Sequence, residues 1–133
     1  MTPATSPRSR DTLAPAHSEP GARGDIIAGR LDPSMSFTQR VWALTARVPT
    51  GRVVTYADIA HHLGTRAYRA VGGALRRNPY APEVPCHRVV GSDGKLTGFA
   101  GGLEEKRRLL RAEGVITTGD RVDLAQYRHR GGL

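Results

Sequence analysis

Apolar side chains recur at regular spacing only beyond residue 34, which limits this 133-residue chain to one folded domain. The first 34 residues hold five of the nine prolines, and their four arginines are balanced by four acidic residues. Such a segment has too few apolar groups to offset the entropy of ordering. We predict a disordered tail over 1–34, with a short ordered piece near Ile26 and Ile27, then a domain over 35–127 and a C-terminal tail over 128–133.

The net charge of +8 lies entirely on the predicted domain and tail beyond residue 34, where sixteen cations face eight anions. Eighteen of the twenty cations in the chain are arginine, which pairs with phosphate oxygens and base edges. This excess indicates a polyanionic partner, although a solubilising surface charge explains it equally well. No apolar run is long enough to span a membrane, and the N-terminal residues lack a secretory apolar segment. A small, basic, intracellular domain is expected.

Residues 36 to 64 carry two helix-start signals. Ser36 followed by Gln39 is a capping box, and apolar residues from Phe37 to Val48 then recur at helical spacing. A short β-prone piece follows, and Thr55 with Asp58 resembles a second capping box. We predict a short helix over 57–63, ended by a glycine at position 64.

A further helix is predicted from Tyr68 to about Arg77, stopped by the following Asn-Pro pair. Its apolar side is opposed by a polar side that is formed of Arg69, Gly72, Gly73 and Arg76. Two short helices joined by a glycine-containing turn are typical of a DNA-binding helix-turn-helix, in which small residues let the helix backbone approach a groove. An ordinary helical hairpin with closely packed glycines has the same pattern.

Cys86 is the only cysteine, which excludes an intrachain disulfide and a cysteine-rich zinc site. It lies between a proline-stiffened approach and a pair of valines, with His87 and Arg88 next to it. A neighbouring base or cation activates a thiol as a nucleophile. On an extended chain, however, Cys86 and His87 would point to opposite faces, and a lone cysteine beside valines is usually a small buried apolar group. No metal site is predicted.

The remainder of the domain is predicted to contain tight turns and one long helix. The Gly91–Gly94 segment is typical of a hairpin turn, and a glycine-rich loop at 98–102 leads into a helix over about 103–113. The glycine spacing of that loop fits neither the P-loop nor the dinucleotide-binding fingerprint. Alternation over 115–127 indicates a second small hairpin.

Taken in order, these motifs resemble the C-terminal domain of the O6-alkylguanine-DNA alkyltransferases. The resemblance covers about residues 36–116 and rests on five segments: 48–56 (VPTGRVVTY), 69–74 (RAVGGA), Asn78-Pro79, 85–89 (PCHRV) and the pairs Gly101-Gly102 and Glu113-Gly114. It implies a mainly α fold: a single winged helix-turn-helix-like DNA-binding domain with short β-hairpins behind the disordered tail. It also implies cofactor-free, single-turnover repair of double-stranded DNA that carries alkylated guanine, by a monomer.

The resemblance assigns chemistry to five residues. It implies that Cys86 takes the alkyl group, that His87 acts as its base through a water molecule, and that Glu113 orients His87. Asn78 would brace the active-site turn, and Tyr56 would lie beside the phosphate 3′ of the flipped nucleotide. Base flipping is required because the reacting atom is inaccessible inside a duplex.

The resemblance also assigns DNA contacts and raises an alternative. Arg69 would enter the base stack, and the other DNA contacts would come from Tyr56, Ala70, Gly72, Gly73, Arg76, Phe99, Ala100 and Gly101. Phe99 stands where many family members have tyrosine, which removes a hydroxyl near O6. The alkyltransferase-like proteins of this family bind lesions without repairing them and usually lack the acceptor cysteine. They also lack the N-terminal α/β domain of the full-length enzymes, and only a short predicted tail precedes the match here. A damage sensor is therefore the alternative to a transferase, and a transcriptional regulator is a third.

Overall fold

The computed structural model describes residues 23–99 and 101–133, which form a mostly helical domain with two small sheets. The predicted fold class is confirmed to that extent. The helices are α1 (Arg23–Ile27), α2 (Phe37–Thr45), α3 (Tyr56–His62), α4 (Tyr68–Arg76), α5 (Leu103–Ala112) and α6 (Leu124–Tyr127). The strands are β1 (Val54–Thr55), β2 (Val89–Val90), β3 (Thr117–Thr118) and β4 (Arg121–Val122), and a 3₁₀ turn spans Cys86–Arg88. Within the described ranges, no helix has the length and apolar character needed to cross a membrane.

Both predicted capping boxes are present. The Ser36 hydroxyl accepts a hydrogen bond from the Gln39 backbone N–H, and the Gln39 side chain accepts one from the Ser36 backbone. Thr55 and Asp58 make the same reciprocal pair at the start of α3. Each box satisfies two backbone donors that a helix N-terminus otherwise leaves unpaired, so the positions of α2 and α3 follow from local chemistry.

Helices α2, α3 and α4 pack around the first core cluster, which supports the helix-turn-helix. Its fully or nearly fully buried members are Val41, Leu44, Val48, Val54, Ile59, Ala60, Val71, Ala74, Leu75 and Val89. The indole N–H of Trp42 donates to the Ala74 carbonyl at 2.7 Å and fixes α2 against α4. Phe37, predicted on the apolar face, is instead 37% exposed because it is the first residue of α2, beyond the packed turns.

The strands differ from the predicted hairpin in one respect. The tight turn at 91–94 is present, with Gly94 at φ +85°. However, β2 pairs in parallel with β1, with Val54 opposite Val89, and does not form a hairpin across that turn. The connection between these strands runs through α3 and α4, as a parallel pair requires. The second predicted hairpin is present as β3 and β4, but its far end forms α6 and not a continued strand.

Residues 128–133 contact the domain, in contrast to the predicted tail. The Arg128 guanidinium forms an ion pair with the Asp58 carboxylate on α3, and the backbone around Val53 bonds to both Tyr127 and His129. The Arg47 side chain donates to the Leu133 carbonyl at 2.9 Å. These long-range bonds need partners on distant elements, Asp58 for Arg128 and Arg47 for Leu133, which local composition does not reveal.

Residues 23–34 also belong to the folded part, so the predicted tail boundary at residue 34 is wrong. Ile26, in the ordered piece anticipated there, is completely buried on α1 in a cluster with Met35, Ala43 and Val84, with Trp42 and Tyr80 against it. Arg23 forms an ion pair with Glu83 at 3.1 Å. The rest of the predicted tail, residues 1–22, lies outside the described residues. A single apolar pair in a proline-rich segment is too little pattern to predict this docking.

Replacing Ile26 by alanine should lower the free energy of unfolding by about 2–4 kcal/mol, because a fully buried side chain is lost and a cavity is left. Urea denaturation followed by circular dichroism measures the change. Leu31→Ala is the control, since Leu31 is 39% exposed and its truncation should cost less than about 0.5 kcal/mol. Equal stability of the Ile26 variant and the wild type would contradict the packing of α1 on the domain.

Candidate active site

Cys86 begins the 3₁₀ turn that connects the 78–85 segment to β2. Its backbone N–H donates to the Val84 carbonyl at 2.9 Å, and its side chain is half-buried against the first core cluster. The extended geometry considered from the sequence is therefore wrong, because the backbone bends at Cys86. A bent backbone removes the objection that Cys86 and His87 must point to opposite faces of a strand.

Asn78 closes the segment that precedes Cys86. Its side-chain amide donates to the Val84 carbonyl at 2.8 Å, and its amide oxygen accepts from the Tyr80 backbone N–H at 2.9 Å. The cluster around Ile26 of α1 packs on the same segment through Tyr80 and Val84. Both polar ends of Asn78 are thus used to hold the chain two residues before Cys86.

His87 and Glu113 are 26 residues apart in sequence and are hydrogen-bonded in the structure. The His87 side chain is only 3% exposed, and its Nε2 lies 2.9 Å from a Glu113 carboxylate oxygen. A carboxylate only accepts hydrogen bonds, so we assign the proton to Nε2 of His87. A neutral ring then has Nδ1 free to accept a proton.

Arg88, which the sequence suggested only as a cation next to Cys86, holds the same carboxylate. Its guanidinium donates to both Glu113 oxygens, at 2.8 and 2.7 Å, and to the Val48 carbonyl at 2.7 Å. Glu113 is the C-terminal cap of α5, where the helix dipole disfavours an anion. A glutamate just before the helix-ending Gly114 is thus a sequence signal that a cation elsewhere pairs with it.

The pKa of Glu113 and the pKa of His87 are both shifted downward by their surroundings. Burial raises the pKa of Glu113, but the hydrogen bonds from Arg88 and His87 outweigh it and leave the pKa below its ordinary value. Burial lowers the pKa of His87, and the opposing effect of Glu113 is smaller. An attractive pair would ordinarily raise the histidine pKa; here burial is the larger effect and the charge of Arg88 adds to it, so the pKa of His87 lies below its ordinary value.

Lys106 is a second site-adjacent residue that the sequence reasoning missed. It is 1% exposed, and its ammonium donates to the Val89 carbonyl at 2.7 Å and the Thr97 carbonyl at 2.9 Å. Burial lowers the pKa of Lys106 to about 8, and the electrostatic interaction with Cys86 opposes that shift. Its spacing of four residues from the buried Leu110 puts it on the apolar face of α5, which is a signal visible in the sequence.

An open cavity of about 410 Å³ lies between α4 and the 97–98 loop. It brings together four of the residues proposed for DNA contact: Tyr56, Arg69, Gly72 and Arg76. Tyr68, Thr97 and Gly98 complete its lining. The Thr97 hydroxyl donates to the Tyr56 hydroxyl at 3.0 Å, and burial raises the pKa of Tyr56. The walls therefore offer two aromatic side chains, two cations and two glycines.

Of the other proposed DNA contacts, the four that the structure describes do not line this cavity. Ala70 is exposed on α4, and Gly73 is half-buried with the Arg77 side chain nearby. Phe99 is half-buried over Gly101, where a Cβ would lie 3.0 Å from the Phe99 ring, so only glycine fits without a shift. Ala100 lies outside the described residues.

Comparison with known proteins finds the family that the motifs suggested. Residues 36–115 match the model of the family described as "6-O-methylguanine DNA methyltransferase, DNA binding domain". A Methanosarcina barkeri protein named methylated-DNA–protein-cysteine methyltransferase is 54% identical over 78 residues, which are 58% of this chain and 49% of that protein. The chain thus spans about half the length of such relatives.

Two further proteins match over a larger part of their length. The Escherichia coli protein named DNA base-flipping protein is 42% identical over 101 residues, covering 74% of this chain and 78% of its own. The crystal structure of Mycobacterium tuberculosis OGT in complex with DNA superposes with a TM-score of 0.58 at 43% identity, covering 68% of this chain and 62% of that one. Sequence and fold therefore agree on one family, and the resemblance read from the motifs is confirmed.

Proposed function

The chain belongs to the family of the 6-O-methylguanine DNA methyltransferase DNA-binding domain, and on that premise we propose that it repairs DNA by moving the alkyl group of an O6-alkylguanine irreversibly onto Cys86. The observation that carries the proposal is the hydrogen bond between His87 and Glu113, where His87 directly follows the only cysteine in the sequence. The relative from Methanosarcina barkeri, named as a methyltransferase, supports the same activity.

The chemistry requires one bond to form and one to break. The Cys86 sulfur attacks the alkyl carbon, a C–S bond forms, and the bond from that carbon to O6 breaks. His87 takes the thiol proton through a water molecule, and the guanine leaving group gains a proton, so the net exchange is an alkyl group for a proton. No cofactor is required, and since the thioether is not cleaved, each molecule acts once.

The DNA would approach the face that carries the cavity. Arg69 and Arg76 are exposed there, and Gly72 between them leaves the α4 backbone accessible to a groove.

Turning the lesion out of the duplex would carry it past Tyr56 toward Cys86, and Asn78 would hold the turn that positions the sulfur. We propose Arg69 as the side chain that fills the space left in the stack. A monomer in the cytoplasm, associated with the nucleoid, follows from this proposal.

The second candidate is a sensor that binds O6-alkylguanine and hands it to another pathway. The Escherichia coli relative favours it, because its name is DNA base-flipping protein and this chain spans 78% of its length. The presence of Cys86, with His87 and Glu113 paired beside it, favours transfer. The two candidates differ in whether the protein is covalently changed.

Intact-protein mass spectrometry after incubation with a duplex that contains one O6-methylguanine separates the candidates. Transfer predicts a stoichiometric gain of one methyl group, mapped to the peptide of Cys86. A sensor predicts no mass change, with the lesion duplex still bound more tightly than the undamaged duplex. Equal affinity for both duplexes, with no mass change, would overturn both candidates.

Replacing Arg69 by alanine should weaken binding of the lesion duplex at least tenfold while the free energy of unfolding changes by less than about 0.5 kcal/mol, because Arg69 is exposed. Fluorescence anisotropy at fixed salt measures the affinity. Arg111→Ala is the matched control, since Arg111 is also exposed but lies in the last turn of α5, away from the cavity. An unchanged affinity for the lesion duplex would remove Arg69 from the proposed role.

A further inference from the structure

Tyr68 is the one large apolar side chain of the cavity that neither the family resemblance nor the proposed chemistry uses. It is the first residue of α4, directly before Arg69, and 41% of its surface is exposed. A single exposed aromatic ring does not by itself indicate a partner, so its position on the surface decides what it can contact. Its placement in the lining of the cavity indicates where that partner would come from.

The ring of Tyr68 is held in place by a residue outside the cavity. Its hydroxyl lies 2.9 Å from Nε2 of His61 on α3, and the two rings meet edge to face with centroids 5.7 Å apart. This contact limits the rotation of the ring although the ring is exposed. A pre-oriented aromatic face loses less conformational entropy on binding than a free one.

The spacing along α4 shows what the ring can contact. Tyr68, Gly72 and Arg76 are four residues apart, so they lie along one line of the helix surface. Gly72 has no side chain to fill the gap between the ring and the Arg76 guanidinium. The cavity wall thus presents an aromatic face and a cation separated by an open strip. This arrangement suits a nucleotide, whose flat base can stack on the aromatic ring while its phosphate pairs with the cation.

We propose that Tyr68 is a stacking platform for a nucleobase of the duplex, next to the point where Arg69 enters, and that it contributes to recognition of the lesion. This inference rests on the proposed function. Its ligand is a base next to the turned-out guanine: either the opposite base, which has lost its pairing partner, or the adjacent base on the same strand, which has lost a stacking neighbour. The hydroxyl of Tyr68 is used for orientation by His61 and does not contact the DNA.

The test is the affinity of the wild type, Tyr68→Ala and Tyr68→Phe for an O6-methylguanine duplex, by fluorescence anisotropy. Tyr68→Ala should weaken binding about tenfold, as removal of an aromatic platform does. Tyr68→Phe keeps the ring and loses only the bond to His61, so its affinity should stay within about threefold of the wild type. Phe37→Ala removes an aromatic side chain of similar exposure that does not line the cavity, and should change nothing.

A duplex that carries an abasic site opposite the lesion identifies the base. If Tyr68 stacks on the partner base, the wild type loses its advantage over Tyr68→Ala on this duplex; if it stacks on the adjacent base, the advantage remains. Either result supports a stacking role.

Equal loss in the Ala and Phe variants, with a matching loss of melting temperature, would show that the tyrosine only joins α3 to α4 and would overturn the inference. So would an unchanged affinity of Tyr68→Ala while the wild type still prefers the lesion duplex. If the wild type shows no such preference, the proposed function fails and the inference fails with it.

Discussion

Replacing Cys86 by alanine should abolish methyl transfer completely, with no detectable mass gain on the protein after incubation with an O6-methylguanine duplex. The reason is that the chain contains one thiol, so no second sulfur nucleophile remains when Cys86 is removed. Serine at this position is no substitute at neutral pH, since an alcohol is a far weaker nucleophile than a thiolate. Mass spectrometry of the intact protein measures the result directly.

The same substitution should leave DNA binding nearly unchanged. Cys86 is half-buried and does not line the cavity that holds Arg69 and Arg76, so truncating it removes one small side chain from the edge of the core. The cost in stability should be about 1 kcal/mol. We therefore expect affinity for the lesion duplex within about threefold of the wild type.

Two results would contradict the role of Cys86. A methyl gain that persists in Cys86→Ala would place the acceptor on another side chain. Loss of duplex binding in a variant that remains folded would mean that Cys86 acts in recognition and not as the nucleophile. Thiol labelling of the wild type before and after incubation is a second check, because every methyl transferred should remove one reactive thiol.

Local signals in the sequence were sufficient to predict the central helices. The capping boxes at Ser36 and Thr55 involve residues three apart, and their hydrogen bonds form as soon as the helix does. Gly64 and Gly114 adopt positive φ at the helix ends, as predicted from their positions. In each case the stabilising interaction lies within one helical turn, so residues that are close in sequence are enough to predict it.

Contacts between distant segments were not predictable in the same way. The parallel pairing of β1 with β2 joins residues 35 apart, and strands of only two residues each carry no information about direction. The docking of Ile26 depends on a pocket that α2 and the 80–84 segment form together. The pairing of Arg88 with Glu113 depends on where α5 ends in space. Family resemblance identified His87 and Glu113, but only the structure shows that Arg88 carries the compensating charge.

Replacing Glu113 by glutamine should lower both stability and the rate of transfer. Arg88 is 14% exposed and donates two hydrogen bonds to the carboxylate, so removing the negative charge leaves a largely buried cation without its counter-ion. We expect a loss of about 3 kcal/mol in the free energy of unfolding. The transfer rate should fall about a hundredfold, because the glutamine no longer orients His87 as a base. Urea denaturation and single-turnover kinetics measure the two effects.

Glu105→Gln is the matched control on the same helix. Glu105 pairs with Arg108 on the exposed surface of α5, and such a pair contributes little to stability. That variant should lose less than about 0.5 kcal/mol and transfer at the wild-type rate. If Glu105→Gln and Glu113→Gln were equally stable and equally active, the coupling of Glu113 to Arg88 and His87 would be refuted.

The pH dependence separates positioning by Glu113 from a general loss of structure. The folded-state pKa of Glu113 is lowered, so its contribution to stability is complete above the ordinary carboxyl pKa of about 4.3 and is lost as the pH falls through the lower folded value. Glu113→Gln should therefore show a flatter stability curve below about pH 4.3 than the wild type. Glu113 also raises the pKa of His87 against the larger effect of burial, so its removal should move the acid limb of the transfer rate to lower pH. A slower variant whose acid limb stays in place would mean that the carboxylate supports the fold without acting on His87.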